Sequence, residues 1–184
     1  MKKSTKIIFS VLGVILALAV ICMSVFIYFI AGSYTSRRIS IYEDLCTELE
    51  LLPELNELGD YSNVKFRKFH QNYVWFSSDA YTLKVIYDDE NYELQKKQLD
   101  SNYMFQKDSF DNTDEQNIES SFSYKGYDFR FLSDDYLEFE FPKKLYLIGI
   151  NDDENTIAYI YFNDNDLDCL DTTKKFMSEY VNFE

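Results

Sequence analysis

Histidine and tryptophan occur once each, at His70 and Trp75, proline only at Pro53 and Pro142, and cysteine three times, in a chain of 184 residues. Each scarcity removes a class of chemistry. Zinc and iron centres draw on clusters of His and Cys at short spacing, and Cys22, Cys46 and Cys169 form no such cluster. A Ser-His-Asp triad would rest entirely on His70, which the sequence places in a turn, and no Gly-x-Ser-x-Gly accompanies it. The five glycines make neither a dinucleotide fingerprint nor a Walker loop. No Pro- or Gly-rich linker follows residue 38, so a single domain is expected from there on. These absences yield no catalytic residue and no cofactor.

Positive charge is also scarce, with 18 Lys and Arg against 32 Asp and Glu. All the acids follow residue 36, with all the basic residues except Lys2, Lys3 and Lys6, so that stretch carries a net charge of −17. Such a field repels phosphate backbones and draws in cations and basic partners. Nucleic acid is excluded as a partner, and another envelope protein or a basic or cationic ligand is expected. The charge does not imply disorder, because aromatic residues make up 18% of the chain and supply a core.

The one long apolar run is residues 7–30, where only Ser10, Gly13 and Ser24 are not strongly apolar. As a helix it reaches ~36 Å, enough for a ~30 Å hydrocarbon core. The apolar core of a cleaved signal peptide spans only ~7–15 residues. Cys22 follows the bulky Ile21, where a lipoprotein signal carries a small residue. The run therefore reads as a transmembrane helix in contact with lipid, and its Gly13-x-x-x-Ala17 spacing would permit close helix pairing. Lys2, Lys3 and Lys6 outnumber Arg37 and Arg38, which favours the N-terminus inside. The expected layout is a cytoplasmic tail (1–6), a transmembrane helix (7–30), a connector (31–38) and an acidic extracytoplasmic domain (39–184). The expected location is the cell membrane of a bacterial envelope, single-pass.

Within the domain, apolar spacing predicts a helix over 39–58, with a break or kink at Pro53 and a stop at Gly59. Strands are predicted at 64–69 and 73–76 around a His70-Gln71-Asn72 turn, then at 81–87, where Tyr81, Leu83, Val85 and Tyr87 share one face. A helix capped by Asp88 or Asp89 follows near 91–103, with Tyr92, Leu99 and Tyr103 as its buried stripe. Residues 106–120 read as a loop. Further strands are a hairpin over 122–132 turning at Lys125-Gly126, a strand over 136–141, and a hairpin of 145–151 with 156–162. Asp171 would cap a last helix, 172–181. Short turns between neighbouring strands imply antiparallel pairing, hence an α+β fold: one transmembrane helix followed by one domain of antiparallel strands with helices.

Four groups of residues invite a chemical reading. Asp164, Asp166 and Asp168 match the first ligand positions of a calcium loop, but Cys169 replaces the turn glycine and Lys175 the last acid, so they are weak metal candidates beside a plain solvated loop. Glu138 and Glu140 share a strand face, and paired carboxylates can run glycoside hydrolysis. They support the alternative of an envelope-anchored, carboxylate-dependent hydrolase, although Leu137, Phe139 and Phe141 make them simply the solvent side. Tyr73, Trp75, Phe76 and Tyr81 form a candidate interaction patch, weighed against burial in a core. Cys46 and Cys169 could pair outside the cell, though two distant cysteines give no signature. The function expected from all this is a non-enzymatic, membrane-anchored binding or interaction domain.

Overall fold

A computed structural model describes residues 3–30, 32–49, 51–73, 76–111, 117–133, 143–164 and 173–184. It begins with a 28-residue helix, α1 (Lys3–Ile30). The described side chains of α1, from Val11 to Ile27, are all exposed, the large apolar ones by 50 to 67%. Ser24 Oγ donates to the carbonyl of Val20 at 2.9 Å, so its hydroxyl needs no water. Among the described residues no helix is long and apolar enough to cross a membrane. The backbone of α1 continues past its described side chains at both ends, and over 28 residues it is ~42 Å long.

The domain is α+β, built on one antiparallel sheet of seven strands. Strands β1 (Ser33–Ser36), β2 (Asn63–Tyr73) and β3 (Phe76–Ile86) form one meander. Strands β6 (Ser121–Tyr124), β7 (Tyr127–Phe131), β8 (Lys143–Asn151) and β9 (Thr156–Asp164) form a second. The two join where β3 pairs with β9, from Ser78↔Asp164 to Ile86↔Thr156. The order across the sheet is therefore β1-β2-β3-β9-β8-β7-β6. A separate two-stranded ribbon, β4 (Phe110–Asp111) with β5 (Asn117–Ile118), lies in the stretch expected to be loop, and Ile118 is buried.

Both faces of the sheet are covered. On one lie α2 (Ile39–Cys46), a 3-10 turn (Leu55–Glu57) and α3 (Asp89–Asn102), which bury Tyr42, Leu58, Tyr92 and Leu99 against Leu83, Val85, Tyr159 and Ile148. On the other lies the C-terminal segment: α4 (Thr173–Lys175), a π-helical turn (Phe176–Tyr180) and the last residues, which bury Phe176, Met177 and Phe183 against Phe129, Leu147, Ile160 and Phe162. A central strand buried on both faces has no polar side, which is why β9 reads Thr-Ile-Ala-Tyr-Ile-Tyr-Phe without alternation.

Several sequence expectations match. Asp88 caps α3, its carboxylate accepting from the Asn91 N–H at 2.9 Å. Lys125 and Gly126 both have positive φ, 49° and 81°, as a tight two-residue hairpin turn requires. Others need correction. The helix expected over 39–58 ends at Cys46, well before Pro53, because the chain turns there to bury Leu52 and Pro53, and the Tyr42 hydroxyl donates to the Pro53 carbonyl. His70-Gln71-Asn72 is not a turn: β2 runs on to Tyr73, and these polar residues pair with β3 on one side and, at His70 and Gln71, with β1 on the other. The connector at 31–38 contains β1, so the link from α1 to the sheet is only Ala31 and Gly32. The strand expected at 136–141 and the Asp171 cap lie outside the described residues.

One glycine is set by packing. Gly149 lies directly opposite Phe129 in the β7–β8 register, and a Cβ there would stand 2.3 Å from the Phe129 ring. Phe129 is fully buried, so the ring cannot yield without disturbing the core. Gly149→Ala is expected to destabilise the domain by about 1–3 kcal/mol, measured as a lower urea midpoint with an unchanged denaturant slope.

Candidate functional site

One row of residues crosses the sheet on the face covered by the C-terminal segment: Phe122, Phe129, Gly149, Ala158, Lys84 and Lys65, each opposite the next. Gly149 and Ala158 leave a trough in the middle of this row. Phe183 spans it, with its ring edge-on to Phe129 at 5.2 Å on one side and under the Lys84 ammonium at 3.8 Å on the other. Phe183 also meets Tyr127 edge-on at 5.1 Å and is 2% exposed. Two backbone bonds direct the chain into the trough, Val181 N–H to Phe176 O at 3.0 Å and Phe183 N–H to Met177 O at 2.9 Å. Asn182 turns the chain with a φ of 51°.

Basic side chains surround this strap. Arg67, on the same face of β2 as Lys65, donates to the Asn182 carbonyl and pairs with the Glu184 carboxylate at 3.3 Å. Arg37, just past β1, reaches the other carboxylate oxygen at 3.1 Å. Lys84 donates to a backbone oxygen of Glu184, and Lys125, from the β6–β7 turn, to the Phe183 carbonyl at 3.0 Å. Glu184 is 60% exposed and Arg37 71%, so their pair contributes no more than ~1 kcal/mol. The Arg67 side chain is 13% exposed, and its buried Nε finds no acceptor among the described residues.

Lys65 and Lys84 stand directly opposite each other, an arrangement of like charges that costs stability unless something offsets it. Burial pushes the Lys84 pKa down from 10.5 to about 8; Glu154 opposes this, while Lys125, Lys65 and Arg67 add to it. On either side of the strap is an open cavity. The larger, about 500 Å³, is walled by Arg37, Ile39, Val64 and Arg67; the smaller, about 350 Å³, by Ile86, Lys125 and Glu154. Both share Lys65, Lys84, Phe183 and Glu184. Five basic residues thus line a cleft in an acidic domain, with Glu184 and Glu154 as the acids in its walls. Such a cleft can bind carboxylates or phosphates by charge-assisted hydrogen bonds.

A second polar cluster lies near the start of the sheet. His70 faces Asp79 Oδ1 through Nδ1 at 3.0 Å and Asn72 Oδ1 through Nε2 at 2.9 Å. Both ring nitrogens thus have a side-chain partner. The Tyr34 ring packs on His70 with centroids 4.8 Å apart. Lys68 bridges Asp79 at 3.3 Å and the Tyr81 hydroxyl at 3.1 Å. Burial works against the Lys68 charge, but these two partners outweigh it and raise its pKa.

Of the patch expected at Tyr73, Trp75, Phe76 and Tyr81, only the Tyr81 side chain is described. Tyr73 and Phe76 are backbone partners at the end of the β2–β3 hairpin, and Trp75 lies outside the described residues. Tyr81 sits opposite Lys68, 8% exposed and stacked on Tyr161 at 5.8 Å. Asp164 ends β9 fully buried, while Asp166 and Asp168 lie outside the described residues, as do Glu138, Glu140 and Cys169. Cys46 is a free thiol. Among the described residues no three His, Cys, Asp or Glu side chains are grouped to hold a metal ion. Asp152, from the acidic run in the β8–β9 turn, accepts from the Tyr92 hydroxyl and from Lys96, each at 2.5 Å.

The basic cleft escaped the sequence reading because its members stand at positions 37, 65, 67, 84 and 125. Two signals were present: Lys65-x-Arg67 puts two cations on one strand face, and Lys84 interrupts the apolar stretch from Tyr81 to Tyr87. In comparisons with protein families, with curated proteins and with solved structures, nothing matches the chain.

The depressed Lys84 pKa has a definite sign. The unfolded chain holds the proton up to about 10.5 and the folded one only to about 8, so the unfolded state binds more protons between those values. Stability from this group is complete above the unfolded pKa and lost as pH falls through the folded one. From pH 8 to about 9.5, below the range where tyrosines titrate, wild type should gain thermal stability relative to Lys84→Met. Parallel melting curves against pH check this.

Proposed function

We propose that the chain is a single-pass, membrane-anchored envelope protein whose acidic domain lies outside the cytoplasmic membrane and binds a partner without catalysing a reaction. The observation that carries this reading is α1. Its described apolar side chains are exposed all around the helix, and the domain covers none of them. Water does not favour such a surface, whereas lipid does, and a helix satisfies its own backbone there. Residues 7–30 would span the hydrocarbon, with the N-terminal lysines inside.

The short link bears on how the domain is displayed. The Asn72 N–H donates to the Gly32 carbonyl at 2.9 Å, so pairing with the sheet begins two residues after α1 ends. Two extended residues reach only ~7 Å. The domain then sits directly on the bilayer surface rather than on a flexible tether. Its binding face is the basic cleft, where five cations gather around two open cavities.

Protease added to intact protoplasts is expected to digest the domain and leave a fragment of about the size of α1 in the membrane. A domain that resists until the cells are lysed would place it on the cytoplasmic side and overturn the topology.

A further inference from the structure

We propose that the basic cleft is a docking site for a short acidic peptide segment of a partner protein, and that Glu184 is a built-in competitor for it. The proposal rests on the reading of the domain as a binding module, but not on its membrane topology. Arg37, Lys65, Arg67, Lys84 and Lys125 supply five cations, against Glu184 and Glu154 in the same walls. The cleft is therefore locally positive on a domain whose net charge is −17. An acidic partner is repelled by the net charge of the domain and attracted by this local cluster of cations, which guides where it docks.

The contents of the cleft show what chemistry it accepts. The strap already places one carboxylate between Arg37 and Arg67, the peptide carbonyls of Asn182 and Phe183 on Arg67 and Lys125, and a backbone oxygen of Glu184 on Lys84. Peptide carbonyls and a carboxylate are thus held together on these residues. The Lys65 ammonium has no hydrogen bond or ion pair among the described residues, and it faces Lys84 across the β2–β3 pair. Arg67 Nε also lacks an acceptor there. These donors mark where a second carboxylate would sit. Ile39, Val64 and the edge of Phe183 give the larger cavity apolar walls, which suit a peptide carrying apolar side chains better than a bare anion.

Glu184 can leave without breaking the core. Its side chain is 60% exposed, whereas Phe183 beneath it is buried among Tyr127 and Phe129. The acidic segment takes Arg37 and Arg67 from Glu184 while Phe183 stays in the trough. Binding is therefore weakened by the chain's own carboxylate, and removing that carboxylate's charge strengthens it.

The test uses the full chain in detergent and a fluorescein-labelled peptide, Glu-Leu-Glu-Leu-Glu, followed by anisotropy. Each variant is read only after its thermal melt matches wild type. Glu184→Gln should bind the peptide roughly threefold more tightly, and Lys84→Gln roughly tenfold more weakly. Lys65→Gln, at an exposed position, keeps the test open if Lys84→Gln fails to fold, and should weaken binding about threefold. The Gln-Leu-Gln-Leu-Gln peptide should not bind. The proposal is overturned if Glu184→Gln binds no better than wild type, if the lysine variants bind as wild type does, or if inorganic phosphate displaces the peptide beyond the effect of sodium chloride at equal ionic strength. A partner cross-linked elsewhere on the domain, with no peptide binding in the cleft, would sink this proposal and leave the binding-module reading standing.

Discussion

The pairing of β3 with β9 is the contact on which the rest of the domain depends. Without it there are two antiparallel meanders, each with an apolar edge strand and neither with enough partners to bury it. With it there is one seven-stranded sheet, and both faces become continuous surfaces that helices and the C-terminal segment can cover. The residues at the join show this. Leu83 and Val85 face α2 and α3 beside Tyr159 and Ile157, while Ala80 and Thr82 face the C-terminal side beside Phe162 and Ile160. The cleft depends on the same join. Lys65, Arg67 and Lys84 come from the first meander, and Lys125, Tyr127 and Phe129 from the second. The Gly149–Ala158 trough connects them, and the strap crosses from one set to the other.

Charge and packing meet in that strap. A domain with a net charge of −17 gains from screening its own acids, and most of them are exposed to solvent. The cleft is the exception, since its cations are brought together by fold topology against their mutual repulsion. Lys84 is also half-buried, and burial first, with the neighbouring cations adding to it, pulls its pKa down to about 8. Its ammonium lies over the Phe183 ring and its neighbour Lys65 lies opposite.

What the sequence revealed was mostly local. Alternation over 81–87 located the second half of β3, apolar runs on either side of Asp152-Asp153-Glu154 located β8 and β9, and the Lys125-Gly126 and Asp88 signals located a turn and a cap, because each depends on neighbours a few residues away. Two errors arose where tertiary contacts overrode local preference. The end of α2 is set by Leu52 and Pro53 reaching the core, and the polar His70-Gln71-Asn72 stretch is held in strand by β1 on one side and β3 on the other. The join between the meanders was not legible at all, since β3 and β9 are about seventy residues apart. The candidate site was hidden for the same reason. Tyr81, chosen for its aromatic neighbours in sequence, belongs to the core, while the basic residues of the cleft lie on four separate segments.

Native-state hydrogen exchange on the full chain tests the central claim, that the β3–β9 pairing makes one cooperative unit of the two meanders. The amides of β3 and β9 that face each other should be among the slowest to exchange, and should share one opening free energy with those of β8. Exchange of the β2 and β3 amides through a separate, lower-energy opening, with β7, β8 and β9 still protected, would contradict it. In that case the two meanders would be independent, and a cleft assembled across their junction could not be a standing feature of the domain.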